Sequence, residues 1–162
     1  MCGACPENSV RGIPGAWLTR SLVAALALGA DGINMGTRFV ATQEAPVHEN
    51  VKKAIVAATE RDTRLVMRPL RDTERVLKNA GVERLLQIER ERGNQLQTSD
   101  IYEQVTGVYP RVMVDGDMDA GAWSCGMVAG LIDDIPTCAE LVANIIRQAE
   151  SVIHAQLDMM AS

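Results

Sequence analysis

Aromatic side chains are almost missing from this chain: two Trp, two Tyr and one Phe among 162 residues, or 3%. A core of normal density must therefore be assembled from Ala, Val, Leu, Ile and Met. Surplus positive charge is missing too. The formal net charge is -5, which argues against a phosphate-backbone partner, since nucleic acids are met by a basic face. No apolar run reaches the length needed to cross a bilayer; the longest, Leu22 to Ala30, is Ala-rich and ends in Gly-Ala-Asp-Gly. No apolar signal core opens the chain, so a cytoplasmic location is expected. Cysteine is sparse. Cys2 and Cys5 form a C-x-x-C, but Cys125 and Cys138 stand too far apart to supply a second pair of zinc ligands. Four reduced thiols and no metal site are expected. The balance of 47% hydrophobic and 23% charged residues is that of a soluble domain or part of a larger one.

Along the chain, residues 1–20 read as irregular. Ser21 to Leu28 reads as a helix stopped by Gly29, followed by Asp31 to Gly36 as a short buried strand. Helix, Gly turn and short strand is the rhythm of an α/β protein with parallel strands. Val47 to Thr59 is an amphipathic helix with Val47, Val51, Ala54, Ile55 and Ala58 on the apolar face and Lys52 and Lys53 mostly off it. Residues 61–71 read as extended, with Pro69 preventing helix. Thr73 to Asn79 and Val82 to Arg92 read as two short helices ending at Gly81 and Gly93, with another short one within 94–107. Asp115 to Asp117 is a turn. Ala120 to Ile132 reads as a small-residue helix, and Pro136 opens a last helix in which Leu141, Ile145, Ala149 and Val152 recur at helical spacing.

Three ordered blocks carry a family resemblance. The first is LVAALALGADGINMGTRFVATQEAPVHENVKKAIV, residues 22–56, centred on Gly29 to Phe39. The second is DTRLVMRPLRDTERV, Asp62 to Val76, and the third runs from Asp115 to Thr137. Over residues 20–155 the chain resembles the carboxy-terminal half of FMN-dependent nitronate monooxygenases. The resemblance implies an α/β fold: the C-terminal portion of a TIM (β/α)₈ barrel plus a mostly helical additional region. It divides the chain into an irregular 1–20, a last barrel βα unit with the flavin phosphate loop at 21–60, a helical lid region at 61–118 and packing helices at 119–162.

The implied cofactor is FMN and the implied substrates are an alkyl nitronate and dioxygen, converted to a carbonyl compound and nitrite. In such barrels the phosphate site is built from the last loops and a short helix N-terminus. Gly36 lets the backbone come close to a dianion, Thr37 adds a hydroxyl donor, and Asn34 and Met35 are expected beside the flavin edge. Taken alone, Gly36-Thr37 reads equally as a plain strand-to-helix turn, and Arg38 as a phosphate ligand or a structural ion pair. His48 reads as a solvated surface residue, His154 as structural, and Ser124, Cys125 and Met127 as packing residues.

The family's base, a histidine in a Gly-Gly-His segment, has no counterpart here, so no catalytic residue is assigned. The codons for Pro14 to Arg20 can be read in a shifted frame as Ser-Gly-Gly-Met-Ala-Asp-Ala, the loop expected at that place. A frameshift before Ser21 is therefore expected, with genuine divergence of the N-terminus as the alternative, and the product is expected to be inactive and truncated or a non-enzymatic fragment, prone to self-association through barrel edges and through Leu22, Leu26 and Ile33. The related FMN-dependent enoyl-acyl-carrier-protein reductases carry a similar first block; the RPLRDTERV stretch favours the monooxygenase.

Overall fold

The computed structural model describes residues 16–161, with side chains from Thr19 to Ala155. Cys2, Cys5 and most of the segment read as frameshifted lie outside the described residues. The chain divides into two compact units, Met1–Asn34 with Ala139–Ser162, and Met35–Cys138.

The first unit contains α1 (Ala16–Ala27) and nearly all of α7 (Cys138–Ala161). Helix α1 starts five residues before the Ser21 expected from the apolar pattern, because Ala16, Trp17 and Leu18 suit a helix as well as the residues after them. The buried Thr19 donates its hydroxyl to Gln148 Oε1 of α7 at 2.9 Å. Leu141, Ile145 and Ala149 are buried at the expected spacing. Leu28 is 89% exposed. Asp31 to Gly36 form no ladder among the described residues. The expected parallel strand is thus not present; extended backbone becomes strand only when a neighbour takes up its N–H and C=O groups.

The second unit is helix-rich α/β. It begins with α2 (Thr37–Val40) and α3 (Glu49–Ala57), followed by β1 (Thr63–Val66) and β2 (Glu74–Leu77), then α4 (Ala80–Arg92). Short helices α5 (Tyr102–Val105) and α6 (Val108–Met113) follow, with single 3₁₀ turns at Gly93–Gln95, Thr98–Ile101 and Met127–Leu131. β1 and β2 are antiparallel, with Thr63 opposite Leu77 and Val66 opposite Glu74. Val66, Val76, Val82, Leu85, Leu96, Ile101 and Ala122 form the core between this hairpin and α4.

Two expectations fail here for one reason. Within Thr73 to Asn79, Glu74–Leu77 is strand β2 and not helix, and Ala120 to Ile132 is irregular apart from a bridge at Ser124 and the 3₁₀ turn at Met127–Leu131. The two segments meet: Val76 bridges Ser124, and Cys125 N donates to Arg75 O at 3.0 Å. Pairing between residues about fifty apart outweighs local preference. Lys52, expected mostly off the apolar face, is 4% exposed, and its Nζ donates to Gln43 O at 2.9 Å. Its stem packs inward while the ammonium satisfies a carbonyl.

Helix α4 ends at Gly93 as expected but starts at Ala80, two residues before the expected Val82. Asn79 caps the start, accepting from Val82 N at 2.9 Å, and Gly93 closes the end at φ 51°.

Cys125 is 2% exposed, as a packing residue should be, and burial pushes its thiol up from 9.0 to about 11. Roughly a hundredfold less thiolate is therefore present at neutral pH than in an exposed thiol. At pH 8, iodoacetamide is expected to label Cys138 well before Cys125 in the native chain, with Cys125 reacting only after denaturation. Peptide mass spectrometry reads this directly; equal rates would place Cys125 at the surface. Because the folded thiol titrates higher, the stability tied to its neutral form is present below pH 9.0 and is lost as pH rises through about 11.

Candidate functional site

The Gly36–Thr37 turn is the starting point. Gly36 is the N-cap of α2 (φ −91°, ψ −73°) and is exposed; a Cβ built on it meets no atom within 4 Å. The N–H groups of Phe39 and Val40 both return to Gly36 O, at 3.0 and 3.2 Å. The amides of Thr37 and Arg38 belong to the first turn and have no partner within it. Thr37 is half-buried, and its Oγ1 accepts from Gly126 N at 3.0 Å. A hydroxyl that accepts still has its own proton to donate. Thr37 is thereby fixed from a segment 89 residues away and keeps a free donor beside an open glycine.

Of the other two expected site residues, Asn34 is exposed and Met35 half-buried. Met35, Gly36 and Thr37 belong to the second unit and Asn34 to the first. The structure resolves the alternatives for Arg38. This residue is 5% exposed and bound to Asp134, with Nη2 donating to Oδ1 at 2.5 Å and Nη1 to the backbone O at 3.0 Å. The structural ion pair is the one formed. It anchors α2 to the segment before α7 and so helps hold the Gly36 turn in place.

His48 is not a solvated surface residue. It is half-buried and caps α3, with Nδ1 accepting from Asn50 N at 3.1 Å and its backbone N donating to Met113 O at 2.7 Å. Gly116, at φ 72°, lies directly against the ring, so no side chain fits there. The Nδ1 lone pair is thus turned to the start of α3. Met127, expected in the core, is 54% exposed, because its 3₁₀ turn buries Ala129 instead. Ser124 is also exposed. Its Oγ bonds Tyr109 OH at 2.6 Å and the Glu74 carboxylate, and its N donates to Tyr109 OH at 3.0 Å. This polar knot ties α6 and β2 to the strand-like run that delivers Gly126 to Thr37. Neither it nor the Thr37–Gly126 bond was readable from local pattern, since each joins distant parts of the chain.

Among the described residues, no group of three or more His, Cys, Asp and Glu side chains is placed to hold a metal ion, and no helix is long and apolar enough to cross a membrane.

An α/β, helix-rich chain with an open glycine turn and a threonine hydroxyl bonded to a distant amide is compatible with several cofactor-binding folds. The family model described as nitronate monooxygenase matches residues 13–148, and the chain belongs to that oxidoreductase family. A relative from Mycobacterium tuberculosis, (3aS,4S,5R,7aS)-5-hydroxy-7a-methyl-1-oxo-octahydro-1H-indene-4-carboxyl-CoA dehydrogenase, is 30% identical over 85% of this chain and 48% of its own length. The protein of the same name from Rhodococcus jostii is also 30% identical, over 84% and 48%. Among solved structures, FabK from Thermotoga maritima superposes with a TM-score of 0.76 at 31% identity, covering 87% of this chain and 44% of that one. Nitroalkane oxidase from Streptomyces ansochromogenes gives a TM-score of 0.62 at 22% identity, over 85% and 38%, a likeness of fold alone. The chain spans about half the length of the curated relatives it matches.

Proposed function

We propose that this chain supplies the phosphate-side wall of the flavin site in an FMN-dependent oxidoreductase, within the C-terminal portion of a TIM barrel, and that the whole protein oxidises alkyl nitronates. The observation that carries the flavin reading is the Gly36–Thr37 turn: an open glycine, first-turn amides, and a hydroxyl oriented by Gly126 N at 3.0 Å. These groups fit a compact dianion, which takes several donors and tolerates no side chain in its approach. α2 is a single turn, so the attraction comes from individual N–H groups rather than from a helix macrodipole. Asn34 and Met35 are the residues assigned to the flavin edge. The redox chemistry, removal of electrons from the nitronate and their delivery to dioxygen, is supplied by FMN when bound. Arg38, committed to Asp134, positions the turn and does not bind the phosphate.

A second reading has a specific observation behind it. Two relatives at 30% identity carry a CoA thioester in their names, and FabK at 31% is more similar in sequence than nitroalkane oxidase at 22%. On this reading the enzyme works on a thioester in the manner of the FMN-dependent enoyl-acyl-carrier-protein reductases, with NAD(P)H as the electron donor to the flavin and the thioester as the acceptor.

One set of measurements on a full-length relative, altered at the matching positions, tests the site and separates the substrates. Thr37→Val removes a donor to a charged group, and a bond of that kind contributes roughly 1.5–3 kcal/mol. FMN affinity is expected to fall about tenfold or more, and Gly36→Leu to lower it further by closing the approach. Unchanged affinity in both variants would mean the phosphate sits elsewhere. Nitrite release from propyl nitronate without NAD(P)H supports the monooxygenase; rapid anaerobic bleaching of the flavin by NAD(P)H with no nitrite release supports the thioester reading.

A further inference from the structure

Charge is segregated along this acidic chain. Residues 61–92 hold nine of the sixteen Lys and Arg but six of the twenty-one Asp and Glu, so this segment carries +3 and the remainder −8. The segment is the β1–β2 hairpin and α4, and a groove of about 420 Å³ lies on it. Arg64, Arg68 and Arg90 line the groove over a partly apolar floor that includes Leu86 and Pro69.

The backbone explains why Arg68 and Arg90 come to one place. Met67, in the hairpin turn, has φ 59°, a left-handed conformation that a residue with a side chain seldom adopts. Its N–H donates to the Glu89 carboxylate on α4. The turn is then closed by Leu70 N and Asp72 N on Met67 O, at 3.2 and 3.4 Å. One bond therefore pins the turn to the helix, and the residue that follows each partner, Arg68 and Arg90, faces the same groove. Of the two acidic lining residues, Glu83 pairs with Arg64 at 3.8 Å, and Glu89 is turned to the Met67 amide while keeping its charge, so three arginines meet two carboxylates and the groove stays net positive. Arg68 and Arg90 are exposed and take part in no ion pair among the described residues. Arg90 Nε donates to Leu86 O at 3.2 Å, which leaves its terminal N–H groups and the Arg68 guanidinium, beside an apolar floor, to match phosphate oxygens on a ligand that also has an apolar portion.

We propose that this groove binds a diphosphate ester with an apolar portion, through Arg68 and Arg90. The groove shares no residue with the Gly36–Thr37 turn, so this inference and the flavin reading stand or fall separately.

The test is calorimetric titration of the full chain at low salt with coenzyme A and, separately, with pyrophosphate. Coenzyme A is expected to bind, and Arg68→Ala and Arg90→Ala each to weaken it about tenfold. Lys53→Ala, which removes one exposed positive charge from α3, is expected to leave affinity within about twofold. Both arginines are exposed, so the variants should fold; Arg68→Lys and Arg90→Lys, which keep charge and lose the planar fork, are expected to lie between wild type and Ala. Pyrophosphate should bind more weakly than coenzyme A because it cannot use the apolar floor. Absence of coenzyme A binding overturns the proposal. So does equal weakening by Lys53→Ala, which would reveal only a general field, and so does pyrophosphate binding as tightly as coenzyme A, which would leave the ester portion without a role.

Discussion

Replacing Gly81 with alanine is expected to destabilise the second unit by about 3 kcal/mol or more, the upper range for overpacking. The expected sign is the reverse of the local rule. Gly81 is the second residue of α4, and in an exposed helix Gly→Ala gains up to about 1 kcal/mol. Here a Cβ on Gly81 would lie 2.5 Å from Gly121 Cα, 2.6 Å from Gly121 N and 2.7 Å from Asp119 O. All three are backbone atoms, so no rotamer change relieves the contact. Nor can Gly121 retreat. Its φ is 153°, and its own open side faces Gln104 O and the Val108 side chain. The same junction carries the bonds that start α4: Asn79 Nδ2 to Gly121 O at 2.8 Å and Ala80 N to Asp119 Oδ1 at 2.8 Å. Moving the segment 119–122 away from α4 to admit a methyl group strains these as well. Thermal unfolding followed by circular dichroism is the measurement. A fall of roughly 10 °C or more is expected for a unit of this size. Gly32→Ala, where a Cβ meets nothing within 4 Å, is the matched control and should change little. A Gly81→Ala protein as stable as wild type would show that the close approach of α4 to Gly121 does not exist in solution.

That contact also shows where sequence reading works and where it stops. α3, α4 and α7 were legible because each repeats apolar residues at helical spacing and carries an end signal, such as Gly93 on α4, whereas the Asn79 cap of α4 came only with the fold. The Gly36–Thr37 turn was legible as a turn, and three ordered blocks were enough to suggest the family. What local pattern does not contain is the partner. Glu74 to Leu77 has residues acceptable to a helix, and becomes a strand because Thr63 to Val66 and then Ser124 lie beside it. The small residues of 120–126 suit close helix packing and close strand packing alike; the glycines serve the second. Asp31 to Gly36 shows the converse, since a strand-like composition with no neighbour among the described residues remains without a ladder. At the site the same limit applies. Thr37 was identifiable by type, whereas its orientation by Gly126 and the engagement of His48 with Asn50 depend on contacts that only the fold establishes.

Arg38 is the residue whose two readings sequence left equal, and its partner gives the second large effect. Its guanidinium is 5% exposed and held by Oδ1 and the backbone O of Asp134, while the Asp134 side chain is 55% exposed. Asp134→Ala strands a buried positive charge with one backbone carbonyl. Removing one partner of a fully buried pair costs about 3–5 kcal/mol. The exposed aspartate already shares its charge with water, so a loss of about 2–3 kcal/mol is expected here. Arg38→Met removes the buried charge itself, fills similar space, and leaves an aspartate that water can solvate, so about 1 kcal/mol or less is expected. The asymmetry is the signature: truncating the exposed partner should do more harm than replacing the buried one, and adding Arg38→Met to Asp134→Ala should recover part of the loss. Urea unfolding of the two single variants and the double variant measures it. FMN affinity, measured in a full-length relative carrying the matching change, separates the two roles. If Arg38 were a phosphate ligand restrained by Asp134, freeing it would tighten FMN. As an anchor for α2, its release loosens the Gly36 turn, and FMN should bind more weakly in Asp134→Ala. Tighter binding in that variant, with stability unchanged, would return Arg38 to the phosphate site.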